Sequence, residues 1–221
     1  MTLDLAIVAS GSGTNAQAMF DAIAADRLDA RVRLVLSNRP GAKVLDRAAA
    51  FGAPALCLDH KLYASREDFD LAMVSALREA GVDTVALAGY MRIVTPAFLR
   101  AFPNRVLNIH PALLPSFPGA HGGRDALAYG VKFTGCSVHF VSEEMDAGPI
   151  IIQAAVPVLD NDTEDSLMER IHPLEHIIYP QALQWLAEGR LSIEGHSVRL
   201  ENSKNGFACS GEGIIFPSPD M

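Results

Sequence analysis

The sequence predicts an α/β protein built on an open, mostly parallel sheet with helices on both faces. Short continuous apolar runs alternate along the chain with segments whose apolar residues recur at helical spacing, which is the pattern of repeated β-α-β units. The runs lack the polar alternation of a half-exposed strand, so they indicate strands that are covered on both faces. Because open parallel sheets hold ligands beyond the carboxyl ends of their strands, we expect functional residues just after strands.

The elements follow one another in this alternation. A glycine-rich turn separates the first strand from a helix marked by apolar residues 18, 19, 22 and 23, and Gly52 and Gly81 stand where helix C-caps belong. Pro173 and Pro180 are expected to interrupt the last helix, since proline lacks the backbone donor. The predicted strands are 5–9, 32–36, 55–58, 84–88, 105–110, 137–141 and 150–158, and the later helices are 42–51, 66–80, 125–129 and 163–188.

No internal repeat, low-complexity tract or linker divides the chain, so one compact domain is expected over residues 1–200. Residues 201–221 show little periodicity and are expected to form a loosely attached tail. The cysteines Cys57, Cys136 and Cys209 are far apart and never spaced as C-x-x-C. They therefore indicate neither a disulfide framework nor a zinc site.

Composition excludes several classes of function. The chain has 221 residues, 49% hydrophobic and 20% charged, with a formal charge of −8 and a pI near 5.3. This acidic balance argues against a nucleic-acid partner, which usually requires a basic surface. No apolar run approaches the ~18 residues needed to cross a bilayer, and the N-terminus lacks the basic stretch of a secretory signal. We expect a cytoplasmic protein with no membrane partner.

The glycine-rich turn at residues 11–16 matches G-x-G-x-x-A between a strand and a helix, as dinucleotide-binding loops do. The second strand, however, ends in Leu36-Ser37-Asn38-Arg39 and offers no carboxylate for the ribose of NAD. Arg39 leaves NADP a slim possibility. A single phosphate at the positive helix end, helped by Thr14 and Asn15, is the simpler interpretation, and a plain glycine turn is the alternative.

The segment at residues 172–176 reads H-x-x-E-H, a zinc-protease pattern. That pattern needs an unbroken helix to place both histidines on one face, and Pro173 argues against one. With no evident third ligand, we expect no metal.

Polar residues end the strand at 105–110. Asn108 and His110 are two positions apart and therefore share a face, opposite the apolar Leu107 and Ile109. Asp146 lies in a later loop bounded by glycine and proline, where its carboxylate could orient the histidine and favour its protonated form. These residues form a plausible reaction centre, although a structural hydrogen-bonded pair stays possible.

Several segments, in order over roughly residues 3–190, closely resemble the phosphoribosylglycinamide formyltransferases, which are folate-dependent enzymes of purine synthesis. Their ordered agreement is far more specific than any single motif. The segments are Ser10-Gly11-Ser12-Gly13-Thr14-Asn15, Leu87-Ala88-Gly89-Tyr90-Met91-Arg92-Ile93, Asn108-Ile109-His110-Pro111-Ala112-Leu113-Leu114-Pro115-Ser116-Phe117-Pro118-Gly119, Gly135-Cys136-Ser137-Val138-His139-Phe140-Val141, Asp146-Ala147-Gly148-Pro149-Ile150 and Glu175-His176.

The resemblance implies the Rossmann-like formyltransferase fold, with a phosphate-binding N-terminal half and a C-terminal half that is catalytic and binds folate. It implies a 10-formyltetrahydrofolate donor, a phosphoribosyl-glycinamide acceptor, no metal, and a monomer or homodimer. By position, the catalytic residues would be Asn108, His110 and Asp146, and the acceptor would meet Gly13, Thr14, Asn15 and Glu175. The folate would meet Arg66, Met91, Arg92, Ile93, Val94, Asn108, Ser142, Glu143, Glu144, Met145 and Asp146.

Other enzymes with related motifs fit less well. Methionyl-tRNA formyltransferase adds an RNA-binding domain, for which about 30 residues after the last helix of an acidic chain are too few. Formyltetrahydrofolate hydrolase carries an extra N-terminal domain, whereas the first strand here is expected from Leu3. An NAD(P)-dependent oxidoreductase and a non-catalytic nucleotide-binding module are the alternatives from other classes. Gly122 and Gly123 stand where relatives often place polar side chains, so no side-chain contact with a ligand is expected there.

Overall fold

The computed structural model describes residues 1–203 and 206–220. Two compact units divide the chain: the first is Met1–Asn108 and the second begins at Ile109. Strands alternate with helices throughout the first unit and helices accompany strands in the second, so the predicted α/β class is confirmed. None of the described helices combines the length and the apolar character needed to span a membrane.

The first unit is a parallel sheet with strand order β3-β2-β1-β4-β5. Residues 5–9 of β1 are fully buried, which explains why this strand reads as an uninterrupted apolar run. Strand order reverses between β1 and β4, so the carboxyl ends of these strands flank a topological switch point. The strands are β1 (Leu3–Ala9), β2 (Ala30–Ser37), β3 (Ala55–Cys57), β4 (Thr84–Leu87) and β5 (Val106–His110), whose last two residues belong to the second unit.

The helices of the first unit lie close to their predicted positions. They are α1 (Thr14–Ala24), α2 (Lys43–Phe51), α3 (Arg66–Glu79) and α4 (Pro96–Ala101), with a 3-10 turn at His60–Leu62. Helix α4 was not expected from the sequence. Thr95 is its N-cap and accepts a hydrogen bond from Phe98 N, and Pro96 occupies its first turn, the position in which a helix tolerates proline.

The second unit is organised around strand β7, which pairs antiparallel with β6 on one side and with β11 on the other. The sequence did not predict this antiparallel pairing. Its cause is the short connection between β6 and β7, because a parallel neighbour needs a crossover of a dozen or more residues. The strands are β6 (Phe133–Phe140), β7 (Ile150–Pro157), β8 (Leu191–Glu194), β9 (Ser197–Leu200), β10 (Ala208–Ser210) and β11 (Gly213–Phe216), and the helices are α5 (Gly122–Tyr129) and α6 (Glu164–Ala187).

Helix α6 departs from the expected interruptions. It runs through Pro173 and Pro180 as one helix. A capping box at Thr163 and Ser166 fixes its start, and its residues Ile171, Leu174 and Ile178 are buried. The apolar face packs against β6 and β7, and this burial outweighs the backbone bonds that the prolines remove.

The C-terminal residues also differ from the expectation of a loose tail. Strand β11 pairs with β7, strand β10 pairs with β11, and Ile215 is buried. Near the C-terminus, Asp220 Oδ2 accepts a 2.7 Å hydrogen bond from Trp185 Nε1 and Asp220 N donates to Gln181 Oε1. The predicted division of the chain into a domain of residues 1–200 and a tail stays a prediction.

Candidate active site

In the first unit, the glycine-rich loop leads from β1 into helix α1. Gly13 precedes the helix with a left-handed backbone, φ 72°, and a Cβ atom there would lie 2.7 Å from Val44 Cβ. Only glycine satisfies both conditions. Since Gly13 has no side chain to cap α1 and the first turn of α1 carries no acidic residue, the start of this helix suits an anion.

Two hydrogen bonds from helix α2 hold the same loop in place. Val44 N donates to Gly11 O at 3.2 Å, and Arg47 Nε donates to Ser12 O at 2.8 Å. Thr14 is half-buried and Asn15 is buried. The loop is therefore fixed before any ligand arrives, as a preorganised phosphate site requires.

The switch point of the first unit carries a buried polar cluster. The Ser10 hydroxyl accepts from Met91 N at 2.9 Å and donates to Asn38 Oδ1 at 2.7 Å. The expected folate-binding residues Met91 to Val94 begin at this contact with Ser10. Met91 is 57% exposed and Ile93 is 48% exposed, whereas Val94 is buried. Two large apolar side chains thus face solvent on an anchored backbone, while Arg66 is exposed at the first turn of α3.

In the second unit, His110 is buried and hydrogen-bonded. Its Nε2 donates to Phe117 O at 2.8 Å, so a second proton would have to sit on Nδ1. That nitrogen lies 3.6 Å from Asp146 Oδ2, and the same carboxylate oxygen accepts from Gly119 N at 2.8 Å. The predicted proximity of His110 and Asp146 is therefore present, and a protonated Nδ1 would point at the carboxylate.

A second histidine faces the same carboxylate. His139 Nε2 lies 3.8 Å from Asp146 Oδ1, and its Nδ1 donates to Phe140 O at 2.9 Å. Burial lowers the pKa of His139, against the opposing effects of the Phe140 hydrogen bond and the Asp146 charge. The lowered pKa favours the neutral form of His139 near pH 7, with its proton on Nδ1.

Backbone conformation holds this arrangement. Asp146 has φ 52° and Phe117 has φ 55°, and such left-handed residues cost roughly 1–3 kcal/mol each unless they are glycine. A Cβ atom at Gly148 would lie 1.8 Å from Phe140 O, so the chain after Asp146 passes directly against β6. These two left-handed residues are the ones that face His110, Asp146 through its carboxylate and Phe117 through its carbonyl.

Sequence reasoning missed His139 and Ser137 as site residues. Ser137 Oγ donates to Ala112 O at 2.7 Å and accepts from Leu114 N at 3.1 Å, which holds the loop that follows His110. Both residues lie on β6 and share one face by strand alternation. That period-two pattern in a buried strand was the available signal, because buried polar side chains require partners.

The remaining predicted residues lie on two elements of the second unit. Glu175 is buried on α6, and Ser142, Glu143, Glu144 and Met145 form the loop before Asp146, in which Ser142 Oγ donates to Glu144 O at 2.9 Å. Within the described parts of the chain, no three His, Cys, Asp or Glu side chains are grouped to hold a metal ion. Asn108 lies on β5 two residues before His110, as predicted.

Comparison with known proteins gives consistent relatives. The chain is 40% identical over 202 residues to the phosphoribosylglycinamide formyltransferase of Escherichia coli, covering 91% of this chain and 95% of the relative. It is 48% identical over 191 residues to the trifunctional purine biosynthetic protein adenosine-3 of Drosophila melanogaster, covering 86% of this chain and 14% of that much longer protein. This chain therefore spans only a small part of the trifunctional relatives.

Solved structures agree with these relatives. The glycinamide ribonucleotide transformylase 1 of Symbiobacterium toebii superposes with a TM-score of 0.89 at 52% identity, covering 90% of this chain and 94% of that one. The family model described as formyl transferase matches residues 3–183, which include the glycine loop, β5 and the Asp146 loop. With this match over most of its length, the chain belongs to the formyl transferase family.

Proposed function

We propose that this protein transfers a formyl group from 10-formyltetrahydrofolate to the amine of phosphoribosyl-glycinamide. The observation that carries the proposal is the carboxylate of Asp146, which faces His110 and His139 at 3.6 and 3.8 Å. The identities of 40% to E. coli phosphoribosylglycinamide formyltransferase and 52% to a glycinamide ribonucleotide transformylase support the choice of substrates.

The reaction forms one C–N bond and breaks another. The acceptor amine attacks the formyl carbon, which gives a tetrahedral intermediate with a negative oxygen and a positive nitrogen. The C–N10 bond then breaks, and the proton lost by the amine ends on N10 of tetrahydrofolate. Enzyme groups are needed to stabilise the oxygen and to move this proton.

The proposed roles follow from the chemistry of each side chain. The amide of Asn108 would donate to the developing oxyanion, and so would the Nε2–H of a protonated His110 once the oxyanion replaces its acceptor Phe117 O, an effect worth about 3–4 kcal/mol per donor. Asp146 would hold the imidazolium by charge pairing and move the amine proton through a water molecule. His110 is buried, and partial exclusion of water strengthens both effects.

The substrates' anionic groups are assigned to separate places. The phosphate of the acceptor would bind at Gly13, Thr14 and Asn15, supported by the preorganised start of α1, and Glu175 would contact the acceptor near its ribose and amine. The folate would meet Arg66, Met91 to Val94 and Ser142 to Asp146, with its glutamate tail near Arg66. Each anion is thus bound by a few local donors on a chain of net charge −8.

A single assay tests this function. Purified protein is mixed with the ribonucleotide and a 10-formyl folate analogue, and release of the deformylated folate is followed by absorbance. Release that depends on the ribonucleotide is the expected result. Release without the ribonucleotide would indicate a hydrolase, formylation of methionyl-tRNA would indicate the tRNA enzyme, and thermal stabilisation by NADPH alone would favour an oxidoreductase.

A further inference from the structure

A buried carboxylate of the first unit has no role in the proposed chemistry. Asp70 lies on α3 and is 1% exposed. Its Oδ2 accepts a 2.6 Å hydrogen bond from the backbone N of Thr95, while its Oδ1 is buried without a hydrogen-bond partner among the described residues. A buried carboxylate is costly unless it is hydrogen-bonded or its charge is paired, and the groups that act on Asp70 are Thr95, Arg92 and Arg66, which lie in or beside the predicted folate contacts.

Helix α3 touches the segment 90–95 along one face. Phe69 lies under the Arg92 guanidinium, 5.4 Å from the ring centroid, and the next residue, Asp70, holds Thr95 N. One turn later, Met73 Sδ lies 3.8 Å from the Tyr90 hydroxyl. On the surface of α3, Met73 is a neighbour of both Phe69 (i, i+4) and Asp70 (i, i+3), and all three are buried, so one buried stripe of α3 supports the whole segment.

The segment is also anchored at its other end. Met91 N donates to Ser10 Oγ, and Thr95 N donates to Asp70 Oδ2. Met91 to Val94 are therefore bracketed by side-chain acceptors at both ends, and both acceptors are buried. Main-chain groups that meet a ligand must have a fixed direction, and two such anchors provide it.

Charge adds a second effect. Burial raises the pKa of the Asp70 carboxyl, and the Thr95 hydrogen bond together with the charges of Arg92 and Arg66 opposes this rise. Asp70 therefore interacts electrostatically with both cations of the predicted folate site. Arg66 opens the same helix, so α3 carries one predicted folate contact and supports the segment that contains Met91 to Val94.

We propose that Asp70 is a positioning residue for the formyl donor, whose buried carboxylate fixes the folate-binding segment Met91 to Val94. This inference rests on the proposed function, because it takes that segment to be the folate site. Asp70 would not touch the substrate. It would act through Thr95 N and through the charge of Arg92.

The test compares Asp70→Ala, Asp70→Asn and a matched control, Glu67→Gln. Glu67 is an exposed carboxylate on the same helix. Removing the anchor is expected to raise KM for the 10-formyl folate analogue about tenfold or more, as loss of a charge-assisted hydrogen bond does, while KM for the ribonucleotide stays within about twofold. Asparagine can still accept from Thr95 N and should fall between wild type and alanine. Glu67→Gln should match wild type.

Amide hydrogen exchange supplies a readout that does not depend on turnover. In the ligand-free protein, Asp70→Ala should speed exchange in peptides covering residues 90–96 and leave peptides of β1 unchanged. A donor KM within twofold of wild type in both variants would overturn the proposal. A fall in kcat with both KM values unchanged would also overturn it, since that pattern indicates a merely structural role.

The same measurements separate the two proposals. If wild-type protein does not turn over the ribonucleotide and the formyl folate, the proposed function fails and the donor role of Asp70 fails with it. If residues 90–96 nevertheless exchange faster in Asp70→Ala than in wild type, Asp70 does anchor the segment, and the error lies in the substrates assigned to the protein. Turnover by wild type together with unchanged exchange and KM in the variants would instead remove the role of Asp70 alone. Asp70→Asn, which conserves side-chain size, keeps the test decisive if Asp70→Ala does not fold.

Discussion

In the second unit, two histidines with different electrostatic environments face the carboxylate of Asp146. Asp146 faces one histidine whose second proton would point at it and another that burial keeps neutral. Neighbouring titratable groups with different environments are the usual basis of acid and base roles. The left-handed backbone at Asp146 and Phe117 indicates that the fold bears strain to keep this geometry.

Replacing the carboxylate tests this arrangement. Asp146→Asn keeps the size of the side chain but removes its charge, so it should lower kcat by about 10²–10³-fold, in the range found when one transition-state contact is removed. KM for the ribonucleotide should change by less than about threefold. Steady-state kinetics with both substrates measures this, and Asp160→Asn, at a 98% exposed side chain, is the control. Unimpaired turnover in Asp146→Asn would remove Asp146 from the mechanism.

The glycine loop offers a matched pair of substitutions. Gly13→Ala forces a side chain onto a left-handed backbone and against Val44, whereas a Cβ atom at Gly11 meets nothing within 4 Å. We expect Gly13→Ala to lower the free energy of unfolding by about 2 kcal/mol or more and Gly11→Ala to lower it by less than about 1 kcal/mol. Urea unfolding of both variants measures the difference. Equal stabilities would show that the loop relaxes and that Gly13 is not sterically required.

At the scale of elements, the start of α6 depends on one ion pair. Arg170 donates to Asp162 from Nη1 at 2.8 Å and from Nη2 at 2.5 Å, and Leu159 N also donates to this carboxylate at 2.8 Å. The Arg170 hydrogen bond holds the pKa of Asp162 well below its ordinary value of 3.8. The pair joins the loop after β7 to the helix that carries Glu175.

This ion pair predicts a pH-dependent stability. The folded-state pKa of Asp162 is depressed, so its contribution is complete above pH 3.8 and is lost as the pH falls through the lower folded value. Asp162→Asn should therefore cost about 2 kcal/mol at neutral pH, and the difference from wild type should shrink only below about pH 3.8. Unfolding at several pH values measures it, with the exposed Asp165→Asn as control. A difference that persists unchanged to pH 2 would contradict the prediction.

The elements also show what sequence patterns can and cannot predict. Residues 5–9 form a strand that is covered on both faces of the sheet, and an uninterrupted apolar run in the sequence indicates such a strand directly. The pairing of β11 with β7 joins residues about 60 positions apart, and no local sequence pattern indicates a pairing partner at that distance. Asn108 and His110 were predictable from alternation, whereas the approach of His139 to Asp146 depends on a loop conformation that residue types alone do not specify.

At the scale of the whole molecule, the C-terminal residues complete the second unit. Strand β11 covers one side of β7, and Arg190, which also contacts Glu188, pairs with Asp220. Residues expected to be loosely attached thus supply sheet partners and buried apolar surface. These strand pairs give β7 and β11 hydrogen-bonding partners, which limits unpaired backbone groups.

Truncation tests the predicted boundary at residue 200. A chain ending there loses β10, β11 and the buried Ile215, so we expect its free energy of unfolding to fall by about 3 kcal/mol or more. For a chain of this size that corresponds to a Tm about 6–12 °C lower. Thermal unfolding of the two lengths measures it, with Phe207→Ala, at a 73% exposed residue, as control. An unchanged Tm would favour the independent domain of residues 1–200.

The contrast between Met91 and its backbone has a consequence for inhibitor selectivity. Ser10 holds the backbone N of Met91 and Asp70 holds that of Thr95, while the exposed thioether side chain of Met91 can change rotamer to fit different shapes. A folate site of this kind would tolerate new ring sizes and substituents along its apolar surface. It would reject analogues whose ring nitrogens present the wrong donors and acceptors, because the rigid main chain cannot adjust to them.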